Sequence, residues 1–439
     1  MIHREPIIKV ALLQNYNEAR INLNGRFRLP DGRQITGRLN IQTEKRQVLL
    51  IDSTGIETAR QKEILLLTQN GATFTLFDVK IGIDFHWQRS QQQTFCGDII
   101  LSASSTGTFN FINAIALEEY LASVISSEMS ADAPLEFLKA QAITARSWLV
   151  AMLAKKKTTR SNPASKAENE IAVWQDVNDH EGFDVCADDH CQRYQGITRI
   201  ISENVRAAIR ETRGVFLVYA GEICDARYYK SCGGQTEVFS TAWEDKFLPY
   251  LQSVTDHVDT HAPIISEKDA ENWISGKPPA YCNTTDKEIL RQILPSFDQE
   301  TLDFYRWQVI YTRGDLEEII RKKSGIDIGE LKNLIPVERG PSGRIRKLKI
   351  EGSRRAILVG KELEVRRWLS PSHLLSSAFI VSTELEEDGK VSRFILHGGG
   401  WGHGVGLCQI GAAVMASKGF PASEILSHYF TGAILKKLY

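Results

Sequence analysis

The chain has 439 residues, 42% hydrophobic and 24% charged, with 53 basic against 54 acidic side chains and a net charge of −1. That length suits two to four domains, or one core domain with insertions, in an ordinary globular protein. Near-neutrality argues against a nucleic-acid or anionic-membrane binder, and no apolar run approaches the roughly 20 residues of a transmembrane segment.

The opening MIHREPIIKVALLQN has a short apolar patch and no small-residue cleavage site, so no signal peptide is visible in this chain. Seven cysteines are an odd number for a disulfide framework. Residues 1 to about 110 read as short strands, in RQVLLIDST, EILLLTQN, TFTLFDVKIGIDF and GTFNFINAI, with turn residues between them.

Two helices are predicted next, 117–128 and about 134–154. In LEEYLASVISSEMSADAPLEF, Leu117, Leu121 and Val124 share one face. Glu128, eleven residues past Leu117 and so about three turns on, falls on the same stripe. A carboxyl group drawn into apolar surroundings holds its proton to higher pH, which prepares a general acid. The residues alone leave open a half-buried salt bridge, with Arg146 of the next helix as partner. Asp132 and Pro134 open that second helix, and Leu135, Leu138, Ala142, Ala145, Leu149 and Met152 repeat at spacings of three and four. The polar run KKKTTRSNPASKAENE, 155–170, reads as an exposed excursion whose lysines cap the helix and face water.

HEGFDVCADDHC places His180, Cys186, His190 and Cys191 within twelve residues. Two imidazoles and two thiolates suit tetrahedral Zn²⁺, and four protein ligands close the site, which makes it a structural staple. A turn must aim the adjacent His190 and Cys191 the same way, and Asp184, Asp188 and Asp189 are candidate outer partners. The alternative is an incidental loop with Cys186 and Cys191 in a disulfide. From 214 to 240 a hairpin is predicted, turning at Ala220–Gly221, and 262–345 mixes helical and loop signals, including DLEEIIRKKSG. HGGGWGHGVGLCQIGA, 397–412, gives a glycine-rich loop over 398–406 and a closing helix from about 409 to 417. So many glycines permit positive φ and close backbone approach. No Gly-Lys-Ser/Thr follows and no acidic residue is suitably placed after a Rossmann unit, so a nucleotide site is rejected. Trp401 with His397 and His403 suits a sugar-binding groove, and a tight structural loop is the competing reading.

LEEYLASVISSEMSADAPLEFLKAQAITARSWL, ARYYKSCGGQT and HGGGWGHGVGLCQIGA, in this order, resemble the opening, central and closing motifs of the SpoIID/LytB family. That group includes sporulation lytic transglycosylases and amidase enhancers. The resemblance runs from about residue 90 to 439 and places the family's catalytic glutamate on Glu128. The His180, Cys186, His190, Cys191 set resembles the zinc site of some members, with one residue fewer between Cys186 and His190. Tyr229 and Lys230 replace the small hydroxyl or histidine residues common after Tyr228, and the 155–170 excursion is longer than the family's pattern.

The resemblance implies cleavage of the bond between N-acetylmuramic acid and N-acetylglucosamine in peptidoglycan glycan strands stripped of stem peptides, leaving 1,6-anhydro ends. The substrate's own C6 hydroxyl replaces the second carboxylate of ordinary glycosidases, so Glu128 suffices as acid and base. It further implies structural Zn²⁺, a location in the cell envelope, and groove residues Gln141, Arg146, Tyr228, Gly233, Gly234, Thr236, Trp401 and His403. The expected architecture is α+β, with a β-rich region at 1–90, a SpoIID/LytB-like catalytic domain at 91–439 built on a catalytic helix pair, and an insertion or lobe at 262–345. The rival reading is a non-catalytic glycan binder that stimulates a cell-wall amidase. A zinc hydrolase would need an open coordination position, which four ligands deny.

Overall fold

The computed structural model describes residues 3–81, 89–156, 164–167, 170–174, 180–188, 190–199, 202–264, 266–294 and 303–439. The fold is α+β and divides into two units, one of 1–132, 179–215 and 437–439, the other of 133–178 and 216–436. Among the described residues no helix is long and apolar enough to cross a membrane.

Ten strands open the first unit: β1 (Ile7–Tyr16), β2 (Glu18–Arg28), β3 (Gln34–Glu44), β4 (Gln47–Asp52) and β5 (Glu57–Gln61). They continue with β6 (Glu63–Thr68), β7 (Thr73–Ile81), β8 (Arg89–Cys96), β9 (Asp98–Ala103) and β10 (Phe109–Ala116). With the short strand Val185–Cys186 they form an eleven-stranded sheet whose main path runs 185–186, β1, β10, β9, β6, β2, β3, β4, β5, with β7 joining β2 to β8. Alternating burial along β9 gives one face to the core. Phe74 anchors that core, with ring centroids 5.3 Å from Phe95 and 5.6 Å from Phe111. The sheet is antiparallel except where Val185–Cys186 runs parallel to β1, pairing Val10 with Val185 and Ala11 with Cys186. That one pairing carries the His/Cys loop onto the sheet edge.

Helix α1 (Leu117–Glu128) follows β10 without a loop. Leu117, Leu121 and Val124 are fully buried, as the spacing predicts. The helix is enclosed well beyond one stripe, however, because Glu118, Ser123, Ser126 and Ser127 are also buried. Glu118 is accommodated by hydrogen bonds from the Gly214 N–H (3.2 Å) and the Tyr439 hydroxyl (2.6 Å).

The second unit contains α2 (Leu135–Lys156), whose Leu138, Ala142, Ala145 and Leu149 are fully buried. Lys155 at its end does not simply face water but pairs with Glu244 at 2.9 Å. The lysines at 156 and 157 lie where side chains are outside the described residues. A five-stranded sheet orders 164–167, 170–173, 356–360, 345–352 and 331–339, and a three-stranded one orders 306–312, 391–399 and 379–385. Trp307, Leu316, Leu348, Trp368 and Phe394 share one core between them. The 214–240 hairpin is shorter than the sequence pattern suggests. Ala220 (φ 49°) and Gly221 (φ 86°) make the turn, and Val218 pairs with Ile223. Tyr228 and Tyr229 then leave to pair in parallel with Leu407 and Cys408.

Candidate active site

In the first unit the four sequence-predicted metal ligands converge. One ligand atom from each of His180, Cys186, His190 and Cys191 lies within 4.8 Å of the others. His180 Nε2 is 3.1 Å from Cys191 Sγ, and His190 Nδ1 is 3.5 Å from Cys191 Sγ and 3.9 Å from Cys186 Sγ. A tetrahedral zinc with Zn–S near 2.3 Å and Zn–N near 2.0 Å separates its ligand atoms by about 3.3–3.8 Å. The donor set and its spacing therefore fit the ion. Cys186 and Cys191 are not joined in a disulfide in this structure. Contact with the Cys191 thiol first, and with His180 and His190, lowers the Cys186 pKa to about 2. The Cys191 N–H on the Asp188 carbonyl (3.0 Å) makes the turn that lets adjacent ligands face one way. Asp184 does not back a histidine. Its Oδ2 accepts the Lys9 N–H at 2.9 Å, fastening the loop to β1. Asp189 lies outside the described residues.

The chain leaving Cys191 is bonded to the sheet and α1 residue by residue. Gln192 Oε1 accepts the Tyr120 hydroxyl at 3.1 Å, and the Arg193 N–H donates to Glu128 Oε1 at 2.9 Å. Tyr194 donates its hydroxyl to Asn113 Oδ1 (2.6 Å), and the Gln195 N–H donates to Ser123 Oγ (3.1 Å). Glu128 closes the last turn of α1, half-buried, with one oxygen held by backbone two residues past Cys191. A carboxylate so oriented has lost most of its rotamer freedom and presents a defined proton-transfer position.

In the second unit the structure brings Tyr228, Gly233, Gly234, Thr236, Trp401 and His403 into one neighbourhood. Ser231 and Trp401 pair through both backbone groups, at 2.7 and 3.1 Å. Gly233 (φ 77°) and Gly400 (φ 76°) are required there: a Cβ on Gly233 would lie 2.7 Å from the Gly400 nitrogen, and one on Gly400 2.7 Å from the Ser231 carbonyl. Trp401 is half-buried and stacks one face on Phe304, centroids 5.1 Å apart. His403 sits edge-on to Trp243 (4.8 Å) and Tyr229 (5.2 Å), and its Nδ1 accepts the Val405 N–H. Burial, then Arg227 and Arg344, push its pKa well below the usual value, so the ring is neutral at pH 7. Thr236 is fully buried, its hydroxyl donating to the Gln252 carbonyl and accepting the Val254 N–H. Gln141 and Arg146 are fully buried on α2, and neither amide atom of Gln141 has a hydrogen-bond partner among the described residues.

Three features escape a reading of the sequence. Glu237 is fully buried and accepts from Ser342 (2.6 Å), Val238 N–H (2.8 Å) and Thr241 (3.1 Å). Arg344, also fully buried, donates to the Gly402 and Cys232 carbonyls and so braces the glycine-rich loop. A second group, Cys232, Asp256, Cys282 and Cys408, meets in the interior. Glu237, Arg344, Cys232 and Cys408 lie near glycines in the sequence, and Asp256 and Cys282 carry no such signal.

Residues 105–219 match the family model described as Stage II sporulation protein, SpoIID. Over that segment the chain is similar to SpoIID domains. The matched segment includes α1 with Glu128, α2 and all four His/Cys residues of the first cluster. Residues 237–406 match a domain of unknown function, DUF8618, which takes in Glu237, Arg344, Trp401 and His403. Among curated proteins, Stage II sporulation protein D of Bacillus amyloliquefaciens is 24% identical over 322 residues, 73% of this chain and 74% of that protein. Its counterpart from Bacillus subtilis (strain 168) is 24% identical over 323 residues, with 73% and 74% covered. The amidase enhancer of Bacillus subtilis (strain 168) is 25% identical over 322 residues, 72% of this chain and 40% of the relative.

Proposed function

We propose that this chain acts in the cell envelope as a peptidoglycan lytic transglycosylase. The observation that carries the reading is Glu128, a half-buried carboxylate ending the enclosed helix of the segment similar to SpoIID domains and held through Oε1 by the Arg193 N–H at 2.9 Å. Protonated Glu128 gives its proton to the glycosidic oxygen as the C1–O bond to N-acetylglucosamine breaks. The resulting carboxylate takes the proton of the C6 hydroxyl as that oxygen bonds to C1, closing the 1,6-anhydro ring. No water is consumed, and the carboxyl group ends protonated, ready for the next turnover. Tyr228, Trp401 and His403, half-buried, are the side chains of the predicted groove set with surface to offer a sugar. Gln141, Arg146 and Thr236 are enclosed and offer a sugar no surface.

His180, Cys186, His190 and Cys191 would hold structural Zn²⁺, which when bound fixes the loop and takes no part in proton transfer. The similarity to an amidase enhancer supports a second reading, glycan binding that stimulates a cell-wall amidase. Turnover of purified denuded glycan strands separates the two. Glu128→Gln should lower the rate by about 10²–10⁴-fold while the protein keeps its metal and melting temperature. Equal rates in the two proteins would remove Glu128 from the chemistry, and no turnover by the well-folded native chain would favour the enhancer reading.

A further inference from the structure

Cys232, Asp256, Cys282 and Cys408 are scattered over the sequence, yet all four are buried in the second unit with ligand atoms within 4.8 Å of one another. Cys232 Sγ and Cys282 Sγ are 3.4 Å apart, and neither is in a disulfide. Backbone amides point at sulfur: the Cys232 N–H at Cys408 Sγ and the Gly234 N–H at Cys232 Sγ, both at 3.3 Å. Asp256 is oriented by two neutral donors, the Cys282 N–H on Oδ2 (2.8 Å) and the Tyr429 hydroxyl on Oδ1 (2.5 Å). Gly411 leaves room for that carboxylate, since a Cβ there would lie 2.4 Å from Oδ1.

We propose that these four side chains form a second, closed metal site that takes Zn²⁺ on three thiolates and one carboxylate oxygen. In a dry core a carboxylate facing three sulfurs can ionise with them only at the cost of lost hydration, which no neighbouring cation among the four offsets. A dication removes that conflict, and a sulfur-rich tetrahedral set selects zinc. Two sulfurs on a tetrahedral zinc lie about 3.8 Å apart, so the 3.4 Å between Cys232 and Cys282 needs to open by only a few tenths of an ångström to seat the ion. Cys408 also occupies the N-cap position of the helix Gln409–Ser417, where the peptide dipoles favour negative charge.

Four protein ligands leave no open position, so the ion works as a staple. It joins Cys232, which precedes the Gly233–Gly234 turn, to Cys408, which follows the glycine-rich loop carrying Trp401. The two segments already share the Ser231–Trp401 bridge, and the ion locks them at a second point. The inference does not depend on the proposed reaction.

The test is zinc content of the reduced full chain after loading with Zn²⁺ alone and dialysis. About two zinc ions per chain are expected, falling to about one in Cys282→Ser and in Cys408→Ser. The double variant Cys186→Ser, Cys191→Ser should also keep about one, and that ion must vanish when Cys282→Ser is added. If the first cluster proves empty, the native chain holds one ion that only Cys282→Ser or Cys408→Ser removes. Should those variants fail to fold, Co²⁺ loading of the native chain gives the answer: its thiolate-to-metal absorption should report five cysteine ligands. A zinc count unchanged by Cys282→Ser and Cys408→Ser, an absorption matching two cysteines, or a Cys232–Cys282 disulfide in the peptide map would overturn the proposal.

Discussion

Glu118 and Glu128 sit at opposite ends of α1, in different surroundings. Glu118 is buried and accepts from the Gly214 N–H and the Tyr439 hydroxyl, so it ties chain segments together. Glu118→Ala should cost about 1–3 kcal/mol of stability in urea unfolding, the penalty for leaving buried donors unmatched. Glu128→Gln keeps an oxygen for the Arg193 N–H, so its unfolding curve should overlay that of the native chain while turnover collapses. The glycines divide by the same logic. Gly400→Ala must strain a positive φ (76°) and push against the Ser231 and Cys232 backbone, whereas Gly389 has a similar φ (81°) and open space beside it. Strain alone costs about 1 kcal/mol or a little more. Gly400→Ala should therefore destabilise clearly more than Gly389→Ala, and equal midpoints in urea would contradict the backbone-packing account. At this scale the sequence showed that Glu128 was out of place on an apolar stripe. It could not show Glu237 or Arg344, whose partners Ser342 and Gly402 are set by tertiary contact.

At the level of elements, the first His/Cys cluster, the segment 192–195 and α1 form one mechanical chain. Cys191 ends the cluster, Gln192 meets Tyr120, Arg193 meets Glu128, and Gln195 meets Ser123. Removing the metal ligands with Cys186→Ser and Cys191→Ser should release this segment. Amide hydrogen exchange at Arg193 and Gln195 should rise, and turnover should fall by about 10²-fold, the cost of a misplaced catalytic group. Unchanged protection at both amides would break the link between metal and carboxylate. The cluster was legible because its four ligands lie within twelve residues, and α1 and α2 because their apolar residues recur at three and four. The depth to which both helices are enclosed was not, since serine, glutamine and arginine at 123, 141 and 146 read as surface until their neighbours are known. The hairpin after Gly214 was legible in its turn but not its length, because a parallel pairing with Leu407–Cys408 captures Tyr228 and Tyr229.

Over the whole molecule, composition and pattern gave the α+β class, but strand order depends on pairings such as β1 with β10 and β6 with β9 that no local signal encodes. The Cys232, Asp256, Cys282, Cys408 group was hidden for the same reason, its members being scattered from 232 to 408. Global stability carries a pH signature from His373, whose pKa burial lowers to about 4, with Arg366 and Lys323 adding to the effect. The ring is neutral in the fold but protonated in the unfolded chain below about pH 6.5, so acidification favours unfolding. Between pH 6.5 and 4 this one histidine should remove about 3 kcal/mol, and His373→Asn should flatten the urea-midpoint profile over that window and not above it. The central claim concerns the fate of the glycan, and end-group mass spectrometry of denuded strands treated with native chain or Glu128→Gln tests it most directly. The account predicts 1,6-anhydro ends from the native chain alone. Reducing ends would mean that water attacks and a second carboxylate does the work assigned here to the C6 hydroxyl.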